Sequence, residues 1–175
     1  MINYDYFFNN KNQYIELIQN ILALEMPGIE LSEGNKSTAY MTTIFDDHKY
    51  IIQVNYKAIP DARTFIAGIT HELRHIYQME CVKQMATDLE SEQMINLWMQ
   101  ALDAYADSST KDYDLNLLEL DANAFTKRML SLIFDDDSFQ VRTQETSLFK
   151  EVYKYICNCF EKEDIESCLN FSDNF

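Results

Sequence analysis

The sequence has little glycine and proline, with three and two residues among 175. Because these residues mark turns and interrupt helices, their scarcity argues against a turn-rich β-sandwich and favours long regular elements. No apolar run is long enough to cross a bilayer, and no basic segment precedes an apolar stretch near the amino terminus. We therefore expect a helix-rich protein with neither a membrane partner nor a signal peptide.

Basic residues are also scarce: 14 Lys and Arg stand against 29 Asp and Glu, a formal net charge of −15. Direct binding to nucleic acid depends on Lys and Arg that neutralise phosphates, so the composition argues against it. An acidic surface could attract a basic partner, such as a DNA-binding protein. The alternative is a solvated acidic surface without a particular partner.

Cysteine is present, but its spacing suits neither a disulfide framework nor a zinc ribbon. The four residues are Cys81, Cys157, Cys159 and Cys168, and the closest two form only a C-x-C pair. Disulfide-rich frameworks are typical of secreted proteins. The cysteine pattern therefore favours a reducing, cytoplasmic location, with the thiols in ordinary core or surface positions.

Length and hydrophobic pattern predict a single domain over residues 1–175. Residues 39–45 and 49–56 predict a β-hairpin, because they are rich in β-branched and aromatic side chains and are separated by turn residues. Helical periodicity predicts helices at about residues 12–26, 61–80, 115–134 and 146–160, and another that carries Trp98 after a Thr87–Glu90 capping box. The expected fold is α+β, dominated by helix, with a small antiparallel sheet packed on several helices.

The sequence H-E-L-R-H at residues 71–75 lies inside the helix predicted over residues 61–80. The i, i+4 spacing places His71 and His75 one turn apart on one face, as two ligands of one metal must be. Both lie beside Gly68, which should leave the neighbouring surface open. The core-facing arc of the helix is predicted to be Phe65, Ile66, Ile69, Leu73, Ile76 and Tyr77.

Glu72 follows the first histidine and could reach a metal-bound water without ligating the metal itself. The simpler alternative is a pair of helix-surface histidines without a metal. Since the chain has only three histidines, a chance H-E-x-x-H is rare, and the helical context makes the alternative weaker still.

A catalytic zinc site needs a third protein ligand, for which Glu119 is the better candidate. The other histidine, His48, lies at the predicted hairpin turn and should be exposed to solvent. Glu119 lies beside the stripe predicted to be buried, and Asp121 lies nearly opposite Glu119 on the helix, so the two cannot face one metal. That stripe is Leu118, Ala122, Phe125 and Met129. The alternative for Glu119 is an exposed helical carboxylate.

Together, H-E-L-R-H at residues 71–75 and E-L-D-A-N-A-F at residues 119–125 resemble the paired motifs of the ImmA/IrrE family of gluzincin metallopeptidases. The family combines a short sheet, H-E-x-x-H on one helix and E-x-[E/D]-A-[N/D]-x-F on the next conserved helix, and the resemblance covers about residues 50–130. It implies a zincin-like fold with Zn²⁺ bound by His71, His75 and Glu119. It also implies Glu72 as the general base and Asn123 as a group that orients a ligating histidine.

The resemblance further implies an endopeptidase that hydrolyses a peptide bond in a protein or peptide substrate. Proteases of this family are associated with cutting transcriptional repressors of mobile elements, and the acidic chain would suit a basic DNA-binding repressor. Arg74 stands where the family usually has Gly or Ala, and the segment between the motifs is long. The alternative function is a non-catalytic metal-binding regulatory or interaction module, which Glu72 argues against because a structural zinc site needs no base.

Two further features of a peptidase have candidates in the sequence. The predicted strand at residues 49–56 precedes the H-E-x-x-H helix and could form a sheet edge that pairs with an extended substrate backbone. An oxyanion-stabilising side chain is also expected. Tyr77, Tyr105 and Tyr113 are candidates between which the sequence does not decide.

Overall fold

The computed structural model describes residues 3–23, 28–34, 40–46, 48–85, 90–107 and 116–172. Within these residues the chain forms seven helices and three strands. In chain order they are α1 (Tyr4–Asn9), α2 (Lys11–Leu22), β1 (Gly28–Glu33), β2 (Met41–Asp46), β3 (Lys49–Val54), α3 (Ala62–Gln84), α4 (Glu92–Asp107), α5 (Leu117–Phe134), α6 (Ser147–Cys159) and α7 (Lys162–Ser172). The predicted α+β class, dominated by helix, is confirmed.

The three strands form a mixed sheet in the order β1-β3-β2. The predicted hairpin is confirmed, because β2 pairs with β3 antiparallel, with Ile44 opposite Ile51. The prediction of a purely antiparallel sheet is wrong, because β1 pairs with β3 in parallel, with Leu31 opposite Ile52. β1 escaped prediction because its apolar residues, Ile29 and Leu31, are both only partly buried and give a weak alternating pattern.

β3 is the central strand, so the predicted substrate-pairing edge at residues 49–56 is wrong. Its two neighbours, β1 and β2, occupy the hydrogen-bonding positions on both of its sides. Its alternate residues Tyr50, Ile52 and Val54 are fully buried and form the sheet's contribution to the core. β2, in contrast, lies at an edge of the described sheet and packs beside α3.

Helix α3 is the longest element, with 23 residues, and crosses the core. Asp61 is its N-cap, since the Asp61 carboxylate accepts a hydrogen bond from the Thr64 N–H at 2.7 Å. The helix continues to Gln84, four residues beyond the predicted end, and stops at Met85 in the left-handed conformation. All six residues of the predicted core-facing arc are at most 1% exposed.

Helices α4 and α5 pack against α3. In α5, Asn116 caps the first turn through the Leu118 N–H, and all four residues of the predicted buried stripe are buried. The start of α4 differs from prediction because Ser91, not a Thr87–Glu90 box, accepts the hydrogen bond from the Met94 N–H. Thr87 lies outside the described residues.

The ends of the described chain add two helices that were not predicted, α1 and α7, which insert Phe7 and Ile165 into the core. Both are short or polar, so their helical period is weak. The helix predicted at about residues 146–160 is α6, in which Phe149 and Val152 are buried and Leu148 is 44% exposed. Of the helices in the described ranges, none combines the length and apolar character that a bilayer span requires.

Candidate metal centre

The two histidines of the H-E-x-x-H sequence face each other on α3. Their Nε2 atoms are 3.0 Å apart, and the ring planes stand nearly perpendicular at 87°. The His71 side chain is 20% exposed and that of His75 is 18%, so both lie at the boundary between core and solvent. The buried arc of α3 fixes this orientation, because rotating the helix would expose its core residues.

Glu119, in the first turn of α5, completes the group. Its Oε2 lies 3.3 Å from His71 Nε2, and its Oε1 lies 3.2 Å from His75 Nε2. Glu119 is 4% exposed, so it is not the exposed helical carboxylate that the sequence left as an alternative. One ligand atom from each of the three residues lies within 4.8 Å of the others, and this group could hold a metal ion.

The electrostatics of the group favour charge on Glu119 and on His75. Burial opposes the charged form of Glu119, but hydrogen bonds from His71 and His75 outweigh it and hold the pKa of that carboxyl well below its ordinary value. Burial also opposes the charged form of His75, yet the Glu119 carboxylate raises the pKa of that imidazole overall. A cation, whether a proton or a metal, is therefore favoured between these side chains.

A cavity of about 250 Å³ opens beside this group, between α3, α4, α5 and β2. Its polar lining residues include Glu72, His75 and Glu119. The rest is largely apolar, with Met41, Met79, Leu102 and Leu118. None of the described lining residues is Lys or Arg, so the lining itself offers no permanent positive charge to the two carboxylates.

Glu72 lines the cavity and is held by a residue of β2. The Thr43 hydroxyl donates to Glu72 Oε2 at 2.7 Å. Thr43 was not predicted, because contact between a strand and a helix 29 residues away leaves no local pattern. The expected open surface at Gly68 is also wrong: a Cβ there would lie 2.9 Å from Met41 Sδ, so the Met41 side chain fills that space.

Gln78 is the polar neighbour of His75 on the side away from Glu119. Gln78 Oε1 lies 2.9 Å from His75 Nδ1. Its amide nitrogen donates to the Leu118 carbonyl at 3.1 Å and to Asp121 Oδ2 at 2.6 Å. Asn123, implied by the family resemblance for such a role, forms no hydrogen bond with either histidine among the described residues. The spacing of three residues from His75 could have identified Gln78.

Arg74, which stands where the ImmA/IrrE motif usually has Gly or Ala, is fully buried. Its Nε and Nη2 donate to Asp121 Oδ2 at 2.7 Å and Oδ1 at 3.1 Å, and Nη2 also donates to Glu90 at 2.7 Å. The Tyr155 hydroxyl donates to the second Glu90 oxygen at 2.6 Å. Asp121 is thus a partner of Arg74 and not a member of the His71, His75 and Glu119 group, and Glu90 is an ion-pair partner rather than a capping residue.

Two of the remaining predicted residues, His48 and Tyr77, are described and neither belongs to the group. His48 is exposed in the turn before β3, as expected. Tyr77 is fully buried, with its ring 4.8 Å from the Arg74 guanidinium, and does not line the cavity. The Tyr105 side chain and Tyr113 fall outside the described residues, so the oxyanion candidates gain no support. None of the four cysteines forms a disulfide.

Comparison with known proteins finds no match for this chain. No family model, no curated protein and no solved structure matches it. The resemblance to the ImmA/IrrE family therefore stays a hypothesis, based on the two motifs. The geometry of the site does not depend on that resemblance. Three side chains suited to a metal lie beside a cavity, and the Glu72 side chain also lines this cavity.

Proposed function

We propose that this chain is a zinc-dependent endopeptidase of the ImmA/IrrE type, which hydrolyses a peptide bond in a protein substrate. The observation that carries the proposal is the convergence of His71, His75 and Glu119 at a cavity whose wall also contains Glu72. These residues come from two helices separated by a long segment. Their meeting does not follow from the local sequence pattern of either helix.

The donor set supports zinc. Two imidazole nitrogens and one carboxylate are a common protein ligand set for catalytic zinc, which keeps a fourth position open. Ligands at zinc's usual bond lengths occupy tetrahedral corners about 3.3 Å apart. The two Nε2 atoms are 3.0 Å apart, and each lies 3.2–3.3 Å from a different oxygen of Glu119. With one ligand atom from each residue, the three atoms lie within 4.8 Å of one another.

Zinc bound there would polarise a peptide carbonyl and lower the pKa of a water. The role of Glu72 follows from its position in the lining of the same cavity as His75 and Glu119. Thr43 holds Oε2, and among the described residues Oε1 accepts no hydrogen bond. Glu72 Oε1 would accept a proton from the attacking water and later deliver it to the leaving nitrogen.

Strand β2 gives this proposal a place for substrate. Met41, Thr42 and Thr43 of β2 line the cavity, and β2 is an edge of the described sheet. An extended peptide could add to this edge through main-chain hydrogen bonds. The net charge of −15 suits a basic substrate protein, such as a DNA-binding repressor, in agreement with the composition.

Glu72→Gln tests the proposal, because the amide keeps the size of the side chain and removes the base. Zinc-loaded protein is incubated with a mixed peptide library, and products are read by mass spectrometry. We expect Glu72→Gln to bind zinc as the parent does and to cleave on the order of 10²–10⁴-fold more slowly. The matched control is Glu151→Gln on the exposed face of α6, which should cleave at the parent rate.

Two results would count against the proposal. Cleavage by Glu72→Gln at the parent rate would remove Glu72 from the mechanism. A zinc-loaded parent that cleaves no peptide or protein offered to it would favour the non-catalytic metal-binding module instead.

A further inference from the structure

The Gln78 amide has only one orientation that satisfies its contacts. Its nitrogen faces the Leu118 carbonyl at 3.1 Å and Asp121 Oδ2 at 2.6 Å. A carbonyl oxygen can only accept a hydrogen bond, so the –NH₂ group must point toward α5. The amide oxygen is then the atom that faces His75 Nδ1 at 2.9 Å.

Arg74 reinforces this orientation of the Gln78 amide through its contacts with Asp121. A guanidinium has only donors, and two of its nitrogens contact both oxygens of Asp121 at 2.7 and 3.1 Å. The Asp121 carboxylate is thereby fixed as an acceptor toward Gln78 as well. Arg74, Asp121 and Gln78 are all at most 1% exposed, so water does not compete for these contacts.

An amide oxygen can only accept, and this decides the state of His75. Nδ1 must carry a proton to bond to Gln78 Oε1, and in the neutral imidazole Nε2 then carries a lone pair. Nε2 is the atom that lies 3.0 Å from His71 Nε2 and 3.2 Å from Glu119. The lone pair is therefore directed toward the place where the three donors meet.

We propose that Gln78 is a positioning residue that holds His75 in the Nδ1–H tautomer and aims Nε2 at the metal position, anchored by the buried Arg74–Asp121 pair. The role as an aid to zinc binding rests on the proposed function, but the tautomer itself does not. His71 has no comparable partner at Nδ1 among the described residues. The effect is thus specific to one of the two histidines.

The tautomer can be read directly from protein labelled with ¹⁵N-histidine. Only three histidines contribute signals, so His75 is assigned by comparison with His71→Ala and His48→Ala. In zinc-free parent protein at alkaline pH we expect the His75 proton on Nδ1. A His75 proton on Nε2 would overturn the proposal, whether or not the protein is a peptidase.

Gln78→Met then tests the positioning role, because it keeps length and packing volume but removes the acceptor. We expect zinc affinity, measured by competition with a chromogenic chelator, to fall about 10–100-fold. The Nδ1–H signal of His75 in the zinc-loaded protein should weaken or shift, while that of His71 is unchanged. Gln100→Met, the same change at an exposed position of α4, should leave both readouts at the parent value.

The outcomes separate the two proposals. Parent zinc affinity and an unchanged His75 signal in folded Gln78→Met would overturn the positioning role while leaving the peptidase possible. Reduced affinity with a lost His75 signal, in a protein without cleavage activity, would support the positioning role and count against the peptidase. If Gln78→Met does not fold, the tautomer of the parent protein remains the deciding measurement.

Discussion

Helices α3 and α5 meet in two neighbouring polar clusters that differ in the source of their positive charge. The closed cluster is Arg74, Asp121 and Glu90, whose side chains are all 0% exposed. The open cluster is His71, His75 and Glu119, with side chains 20%, 18% and 6% exposed. Arg74 lies next to His75 in sequence, so one turn of α3 contributes residues to both clusters.

The difference concerns charge balance. In the closed cluster a guanidinium, which is always charged, neutralises much of two carboxylates without any ligand. In the open cluster Glu119 contacts two imidazoles, Glu72 lines the cavity beside it, and the described lining has neither Lys nor Arg. A divalent cation would balance those two carboxylates. The closed cluster thus has a structural role, whereas the open one is suited to a ligand.

Removing the internal cation should give the largest effect on stability. Arg74→Met leaves Asp121 and Glu90 buried without a counter-charge, which typically costs about 3–5 kcal/mol. Urea unfolding of the metal-free protein measures this free energy. Arg128→Met is the matched control: Arg128 is half-buried and donates to the Phe160 carbonyl at 3.0 Å. It should cost about 1 kcal/mol.

Equal losses of unfolding free energy in Arg74→Met and Arg128→Met would contradict the distinction between the two clusters. They would mean that the closed cluster is no more dependent on its cation than an ordinary arginine contact. A loss in Arg74→Met confined to zinc affinity, with unfolding unchanged, would likewise show that the cluster serves the metal centre and not the fold.

A third cluster, which has its own cation but lies nearer the solvent, should show a smaller effect. Arg63 donates to Asp136 at 2.7 and 3.0 Å, and the Tyr4 hydroxyl donates at 2.5 Å. Burial opposes the charge on Asp136, but these hydrogen bonds outweigh it and lower its pKa to about 2 from 3.8. The stabilisation is therefore present above about pH 4 and is lost as the pH falls toward 2.

Asp136→Asn should accordingly lower the free energy of unfolding at neutral pH. After allowance for the Arg63 side chain, which is 37% exposed, we expect about 1 kcal/mol. Urea unfolding at a series of pH values should show the difference from the parent shrinking below about pH 4. A difference that stays constant down to pH 2 would mean that the Asp136 charge is not its source.

Much of the open cluster could be predicted from local pattern. The i, i+4 histidines and the core arc of α3 follow from helical period alone, and the phase of α5 separated Glu119 from Asp121. These are properties of single helices. His71 and Glu119 are 48 positions apart, so no local pattern predicts that they meet. Only the family resemblance and the need of zinc for a third ligand suggested that contact.

The closed cluster was not predicted, and the reasons are physical. Glu90 was assigned to a capping box because its spacing from Thr87 satisfies a local rule, but burial beside Arg74 gives it a stronger partner. Arg74 itself gave no signal, since arginine is seldom fully buried. β1 was missed because its partly buried apolar residues give a weak alternating pattern, and the hairpin pattern contains no information about a third strand that pairs in parallel.

Zinc content tests the central claim most directly. Protein purified without chelator and analysed for metals should contain about one zinc per chain, because three ligands and an open position form one site. His71→Ala and Glu119→Gln should each bind zinc at least about tenfold more weakly, since each removes a ligand. His48→Ala, which changes the exposed histidine, should match the parent. Parent protein that takes up no zinc, or ligand variants that bind zinc as tightly as the parent, would contradict the account.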